Sequence, residues 1–277
     1  MKKNKIFNKY LSLKFFLKPK KIIAVSRAFY GDEWMKISLK SVENHVHKIL
    51  IVTSNKTWSK TSERSDNINK IFEDLNNQSK KYHLLRGSWD DQIQQQNDFL
   101  NFIRENHAEC THILFIDTDE IYEQHEIQKL LRLTKKFKTF QSVIRVRMYT
   151  YIKSIYYRVH PQERYMPIAI IPIRDYVYFT DVRSVHTCPL YNSNVNMHHF
   201  SLVRKNDKRI QAKFKNRAKI YRRVPNWYEK YYLNFDINMK NFHPIIGNET
   251  QWQSIEQVED KDLPQEVVKS YENWTNE

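Results

Sequence analysis

Residues 111–122 read Thr-His-Ile-Leu-Phe-Ile-Asp-Thr-Asp-Glu-Ile-Tyr, so an apolar run of strand length ends in three carboxylates, Asp117, Asp119 and Glu120. The run from 112 to 116 is too short for a typical helix and too apolar for a surface loop, which predicts a buried strand covered on both faces. Side chains alternate along an extended chain, so Asp117 and Asp119 are expected on the same side. Two adjacent ionised carboxylates repel each other unless a cation lies between them. The stretch therefore favours a divalent metal with oxygen ligands, Mg²⁺ or Mn²⁺.

A second interpretation of the same acidic cluster stays open from the sequence. A helix is predicted near 123–136, and Asp119 or Glu120 has the right chemistry for the N-terminus of that helix. Carboxylate oxygens accept hydrogen bonds from the first backbone N–H groups, and their charge interacts favourably with the helix dipole.

The segments before this stretch alternate between strand and helix patterns. Asp32 and Ser88 are the predicted N-caps of two of the helices. Strands are predicted over 21–26, 48–53 and 82–86, and helical spacing is found within 32–44, 59–81 and 89–107. This alternation predicts right-handed crossovers and a parallel sheet. Open α/β sheets bind their ligands at the carboxyl ends of the strands, which is where Asp117 and Asp119 are then expected.

After residue 136 the pattern changes. Strands are predicted over 142–151, 165–173 and 176–180 without helices between them, so the second half is expected to be mixed or antiparallel. The aromatic and basic segment 153–164 is predicted to be a solvated loop, with a sugar-stacking or phosphate-binding loop as the alternative. A strongly basic helix is predicted from about 206 to 223, either to contact phosphate or lipid or simply to face solvent.

The two ends of the chain lie outside this pattern. Residues 1–20 form a basic, amphipathic leader, which is predicted either to lie on a membrane surface or to be packed on the body or disordered. Residues 21–223 are predicted to form one domain. Residues 224–277 are predicted to form an extension packed on that domain.

Composition limits the class of protein. The formal net charge is +15 in 277 residues, which predicts an acidic partner such as a nucleotide, an anionic lipid or a nucleic acid. Only three glycines occur, which excludes glycine-rich phosphate loops. No apolar run reaches the roughly 18 residues of a membrane span, and the N-terminus lacks a secretion signal, so we expect a cytosolic chain, with peripheral contact at the inner face of a membrane as an option. Cys110 and Cys188 are expected to be reduced thiols.

Several motifs, taken in order, resemble the GT-A glycosyltransferases of family 2 over roughly residues 21–223. They are Ser26-Arg27 after the first strand, Ser54-Asn55 after the second, Gln95-Gln96-Asn97 before the fourth, the Asp117-Thr118-Asp119 stretch, and His198-His199-Phe200-Ser201-Leu202-Val203-Arg204. The resemblance implies an α/β fold of the GT-A kind, with a mostly parallel central sheet flanked by helices, a mixed second half and a helical C-terminal extension.

The resemblance also implies roles for particular residues. The metal ligands would be Asp117, Asp119 and His199. A nucleotide-sugar donor would be bound by Ser26, Arg27, Ser54, Asn55, Gln96, Asp117 and Arg204. The candidates for the group that takes a proton from the acceptor are Asp181, His186 and Glu163. The implied activity is metal-dependent transfer of a sugar, with inversion, from a nucleoside diphosphate to a glycan, a lipid-linked acceptor or a small acceptor.

Two other hypotheses remain open. In the first, the positively charged surface binds nucleic acid. The nucleic acid is either the acceptor, through a modified DNA base that receives the sugar, or simply a binding partner. The absence of an aromatic-interleaved motif for reading bases makes this less favourable. In the second, the protein is a scaffold with a vestigial site.

Overall fold

The computed structural model describes residues 14–29, 31–54, 67–182, 184–186, 188–205, 207–216 and 223–275. Most of the predicted leader, Asn55 and the end of the predicted basic helix lie outside the described residues.

The first half of the chain forms a parallel sheet. Its strands are β1 Ile22–Ala28, β2 Lys48–Ser54, β3 Tyr82–Gly87 and β4 His112–Phe115, in the order β3-β2-β1-β4. The connecting helices are α1 Asp32–Glu43, α2 Ile68–Gln78 and α3 Gln92–Asn106. All three strand pairs are parallel, so the prediction of a parallel sheet from strand and helix alternation is confirmed.

The second half is mixed, as predicted. It contains β5 Glu120–Ile121, α4 Gln124–Leu133, β6 Val143–Ile152, β7 Tyr157–His160, β8 Ile168–Pro172, β9 Phe179–Asp181, β10 Ser184–Val185 and β11 Leu190–Leu202. Strand β8 lies antiparallel between β4 and β6. Strand β11 runs parallel to β6 and antiparallel to the short β5. Strands β9 and β10 form a separate two-stranded sheet.

The chain after β11 packs on the second half and also contacts α1 of the first half. It contains α5 Asp207–Asn216, a π-helical turn Tyr228–Leu233, β12 Ser254–Gln257 and α6 Gln265–Thr275. Strand β12 pairs antiparallel with β7 at one edge of the large sheet. Trp274 of α6 packs on Trp34 of α1, with ring centroids 4.3 Å apart. In the part of the chain with described coordinates, no helix combines the length and the apolar character needed to cross a bilayer.

Three local predictions need correction. The segment 153–164 is not a loop throughout, because β7 lies within it and pairs with residues about 100 positions later, which no local pattern reveals. Helix α1 is preceded by Gly31 at the N-cap, and Asp32 lies in its first turn. Helix α3 is capped by Asp91 rather than Ser88, since the Asp91 Oδ1 accepts a 2.8 Å hydrogen bond from the Gln94 N–H.

Both faces of the parallel sheet are covered. Ile22 and Ala24 of β1 pack on the side of α1, together with Met35 and Leu39. Ile23 and Val25 alternate to the other side, where α3 provides Phe99, Leu100 and Ile103. The parallel register of β1 and β4 places residue 27, near the end of β1, at the carboxyl edge of the sheet beside the end of β4.

Candidate functional site

Asp117 is bound by an arginine from the neighbouring strand. The Arg27 Nε donates a 3.0 Å hydrogen bond to Asp117 Oδ1, and Arg27 Nη2 donates one of 2.6 Å to Asp117 Oδ2. The pairing of β1 with β4 explains the contact, because Val25 lies opposite Phe115 and continuing this register brings residue 27 to residue 117. The side chains are 14% and 25% exposed, so this bidentate pair lies at the surface of the site.

Asp119 is bound by a different arginine, and this pair is buried. The Arg204 Nη2 donates a 2.6 Å hydrogen bond to Asp119 Oδ2, and the two side chains are 2% and 9% exposed. Arg204 Nη1 also lies 3.4 Å from Glu33 Oε2, which in turn lies 3.1 Å from Nη1 of Arg209. Arg209 also donates to both carboxylate oxygens of Asp32. A chain of alternating charges therefore connects Asp119 to the first turn of α1.

The turn between the two aspartates is fixed by short contacts. The Asp117 N–H donates to Glu120 Oε2 at 2.9 Å, and the hydroxyl of Ser38 donates to the Asp117 carbonyl at 2.9 Å. Gly31 lies directly against this turn, because a Cβ at that position would stand 2.1 Å from Thr118 Oγ1. Only a residue without a side chain allows α1 to begin so close to the aspartates.

The alternative interpretation of the acidic cluster as a helix N-cap is wrong. Helix α4 begins after Glu123, and its N-cap makes no side-chain capping bond. Glu120 instead accepts a hydrogen bond from the Asp117 backbone and lies opposite His199 in the β5–β11 pair.

His199 is brought next to Asp119 by this strand pairing. Its Nε2 lies 3.8 Å from Asp119 Oδ1, and the Phe200 N–H donates to the Asp119 carbonyl at 2.8 Å. A separation of 3.8 Å is long for a hydrogen bond. Two ligands of one octahedral cation, each about 2.1 Å from it, stand roughly 3 to 4 Å apart. The separation of Asp119 and His199 therefore suits two ligands of one cation as well as it suits an ion pair between the two side chains.

Asp117 does not fit the role of a third ligand in this arrangement, since both of its oxygens accept hydrogen bonds from Arg27. Within the described ranges, no group of three or more His, Cys, Asp and Glu side chains is arranged to hold a metal ion. A cation bound by Asp119 and His199 would have to complete its coordination with water and phosphate oxygens, as Mg²⁺ commonly does.

A cleft opens beside the exposed pair at the carboxyl edge of β1 and β4. Its lining consists of Arg27, Gln96, Phe115, Asp117, Glu120, Ile168, Phe179 and Val182. Gln96 of α3 donates through Nε2 to the Val182 carbonyl at 3.1 Å, and Asn97 bonds to both the N–H and the carbonyl of Phe179. Three of the predicted donor-binding residues, Arg27, Gln96 and Asp117, are thus brought into one cleft.

The other predicted donor-binding residues are placed differently. Ser26 and Ser54 are buried in β1 and β2 and do not line this cleft. The guanidinium of Arg204 is enclosed between Asp119 and Glu33, so it contacts the metal-ligand candidate rather than the cleft wall.

The three candidate proton acceptors lie in different surroundings. Asp181 is exposed at the end of β9, next to Val182 of the cleft wall, and its Oδ1 accepts from the Val182 N–H at 2.6 Å. His186 is exposed, with its ring 4.8 Å from that of Tyr178. Glu163 is enclosed by the C-terminal extension, where it accepts from Trp252 Nε1 and lies 3.9 Å from His243 Nε2. Of the three, Asp181 is the one that adjoins a residue of the cleft.

Sequence reasoning missed the residues that support the site. Glu33 attracted no prediction, and Asp32 was assigned only as a cap. Arg209 was predicted only as one cation of a basic helix that contacts phosphate or lipid or faces solvent. An acidic pair in the first turn of a helix is ordinary, because it complements the helix dipole. Their contacts with a chain segment some 170 residues away have no local signal.

Comparisons with known proteins do not identify a family for this chain. No protein-family model matches the chain, and no curated protein matches its sequence. Among solved structures, the chain is similar to a crystal structure of 4-diphosphocytidyl-2C-methyl-D-erythritol synthase, with a TM-score of 0.36 and 12% identity over 56% of this chain and 76% of the other. Agreement of this degree does not establish a shared fold.

Proposed function

We propose that the chain is a glycosyltransferase that binds a nucleoside-diphosphate sugar at the carboxyl edge of β1 and β4 and transfers the sugar, with inversion, to a glycan, a lipid-linked or a small acceptor. The observation that carries this proposal is the 3.8 Å separation of Asp119 and His199 of β11, because Asp119 shares a turn with Asp117, the partner of Arg27 at the cleft.

One cationic side chain at the cleft, Arg27, supports binding of a diphosphate. Arg27 lies on the cleft wall and retains some exposure, and Asp117 holds its guanidinium in place through two hydrogen bonds. A guanidinium fixed in this way costs little reorganisation when charge develops on a phosphate leaving group. Mn²⁺ or Mg²⁺ held by Asp119 and His199 would supply Lewis-acid stabilisation of that same charge.

Arg204 has a supporting role in this proposal. Because it is almost completely buried and bonded to one oxygen of Asp119, it fixes the orientation of that carboxylate, with the other oxygen toward His199. Glu33 and Arg209 fix Arg204 in turn. The buried network therefore positions a ligand pair rather than binding substrate itself.

The acceptor hydroxyl must lose a proton during attack. Asp181 is our candidate base, since it is an exposed carboxylate directly beside Val182 of the cleft wall. An aspartate there accepts the proton without any further covalent step, which is the requirement of a single inverting displacement.

The test is hydrolysis of nucleotide sugars by the full chain with and without Mn²⁺, after a thermal-shift screen with Mn²⁺ has identified a donor that raises the melting temperature. Asp119→Asn and His199→Ala should each lower metal-stimulated turnover at least 100-fold. His198→Gln is the matched control, because His198 adjoins His199 in β11 but contacts Tyr151 and Glu123 instead. Equal turnover in the parent and Asp119→Asn would refute the proposal, as would the absence of any stabilising nucleotide sugar.

A further inference from the structure

A cluster of aromatic rings lies at the edge of the sheet opposite the cleft. It combines a helical turn at residues 14–17 with the loop after α4. Phe16 contacts Phe137 and Phe140, with ring centroids 5.3 Å and 4.9 Å apart. Phe15 and Phe140 are buried, whereas Leu17 is 72% exposed and Phe137 is 64% exposed. The cluster is thus anchored in the core and presents two large apolar side chains to solvent.

The same surface is strongly basic. Residues 14–21 and 134–141 contain no Asp or Glu but contain seven lysines, at positions 14, 18, 20, 21, 135, 136 and 138. All except Lys20 are exposed. Lys20 donates to the carbonyls of Phe15 and Phe16, and burial together with the charges of Arg174 and Lys18 lowers its pKa. We call the surface formed by residues 14–21 and 134–141 the basic aromatic face.

We propose that the basic aromatic face docks on an anionic membrane surface. Leu17 and Phe137 are the residues that enter the boundary between headgroups and acyl chains, while the surrounding lysines interact with lipid phosphates. Exposed leucine and phenylalanine among lysines is the composition of interfacial membrane anchors. Each added lysine strengthens attraction to acidic lipid, and neither segment offers a carboxylate to oppose it.

A bilayer fits these observations better than a nucleic acid does. Phosphate contacts to DNA or RNA need cations but gain nothing from the exposed apolar side chains of Leu17 and Phe137. A membrane interface uses both features at once, since apolar burial and charge attraction add to each other.

The position of the face determines how the site is presented. His112 begins β4, its ring lies 5.6 Å from that of Phe15, and its Nε2 bonds to the Phe140 carbonyl at 2.8 Å. The face therefore lies at the amino ends of β1 and β4, and both strands run away from it toward Arg27 and Asp117. A docked molecule presents its cleft on the side away from the bilayer. The docking itself does not depend on the proposed transferase activity.

The experiment is sedimentation of the full chain with vesicles of phosphatidylcholine alone or with about one third phosphatidylserine. The parent should bind the anionic vesicles at least tenfold more strongly, and added salt should weaken binding. The double variant Leu17→Ser/Phe137→Ser should bind anionic vesicles at least tenfold more weakly than the parent. The triple variant with serine at Lys135, Lys136 and Lys138 should show a loss of the same size. Because these side chains are exposed, the variants should melt at the parent temperature.

Matched controls come from other surfaces. Leu233 and Ile246 are exposed apolar residues of the C-terminal extension, at 47% and 49%, and their joint change to serine should leave partitioning unchanged. The same holds for the exposed lysines 70, 80 and 269. The proposal is overturned if the parent does not bind anionic vesicles, or if the control variants lose as much binding as the variants of the basic aromatic face. It is also overturned if the parent binds a DNA duplex but no vesicles, and the lysine changes weaken that DNA binding.

Discussion

The carboxyl and amino ends of the parallel strands differ in whether their charged side chains are paired with opposite charges. At the carboxyl edge, each aspartate meets its own arginine, and the buried pair Arg204–Asp119 continues into Glu33 and Arg209. At the amino edge, seven lysines surround exposed aromatic and aliphatic side chains without an acidic residue in either segment. The net charge of +15 therefore says little by itself about binding. Charges that are compensated inside the molecule order a site, whereas those left exposed remain available to a partner.

The largest expected effect comes from removing the buried arginine. Arg204→Met leaves Asp119 without its 2.6 Å contact in a site where both side chains are at least nine-tenths buried. Breaking one partner of a buried ion pair costs about 3–5 kcal/mol. Urea unfolding should show this loss. Arg27→Met is the comparison, and because its pair with Asp117 is partly exposed it should cost only about 1 kcal/mol. Equal losses would show that the two pairs do not differ as their burial implies.

Lowering the pH should decrease the free energy of unfolding because His112, at the amino edge of the sheet, becomes protonated. Burial lowers the pKa of His112 to about 4, with a smaller contribution from Lys20 and Arg174, while the bond to the Phe140 carbonyl acts in the opposite direction. Between about pH 4 and about pH 6.5, His112 binds a proton in the unfolded chain but not in the folded chain. The free energy of unfolding therefore falls as pH decreases from about 6.5 to about 4. The loss assigned to this group is about 3 kcal/mol.

Urea unfolding at a series of pH values measures that loss. His112→Gln removes the titrating group, so its stability, although lower at pH 7, should fall less steeply over the same pH range. Parallel pH profiles for the parent and His112→Gln would contradict the assignment.

A smaller effect is expected where α1 approaches the aspartate turn. Gly31→Ala places a Cβ 2.1 Å from Thr118 Oγ1 and 3.0 Å from Thr118 Cβ, so the turn must shift. Overpacking of this kind costs about 1–3 kcal/mol, and it should also lower turnover by displacing Asp119 from His199. Adding Thr118→Ala removes the nearer atom and should recover part of both losses. If the double variant is no better than Gly31→Ala alone, the close approach is not the cause.

The smallest effect on stability is expected at the tips of the basic aromatic face. Leu17→Ser and Phe137→Ser should change the free energy of unfolding by no more than about 0.5 kcal/mol, because both side chains are mostly exposed. Phe140→Ala, in the same cluster but 3% exposed, should cost about 3 kcal/mol. A large loss at Leu17 or Phe137 would mean that these residues stabilise the fold rather than serve an external surface.

Much of the fold was accessible from local pattern. The alternation of apolar strands with amphipathic helices predicted β1 to β4. Right-handed crossovers between these strands predicted that they pair in parallel. The strands without intervening helices predicted the mixed second half. Strand β7 was missed because its partner, β12, comes about 100 residues later. Strand β11 was missed because the alternation of Asn194, Val195, Asn196 and Met197 is short. It breaks at His198-His199, beyond which nearly every residue is buried.

The sequence by itself determined which edge of the sheet carries Arg27, Asp117 and Asp119, because residues at the ends of parallel strands converge whatever the details of packing. Only the tertiary structure decided what each carboxylate contacts. Asp119 and Arg204 are 85 residues apart, and Arg204 and Glu33 are 171 apart, so no periodicity or spacing encodes their contact. Packing also decided that Phe15 and Phe140 enter the core while Leu17 and Phe137 remain outside. Burial is a property of the assembled chain, and it is burial that separates a structural charge or ring from one that can bind a partner.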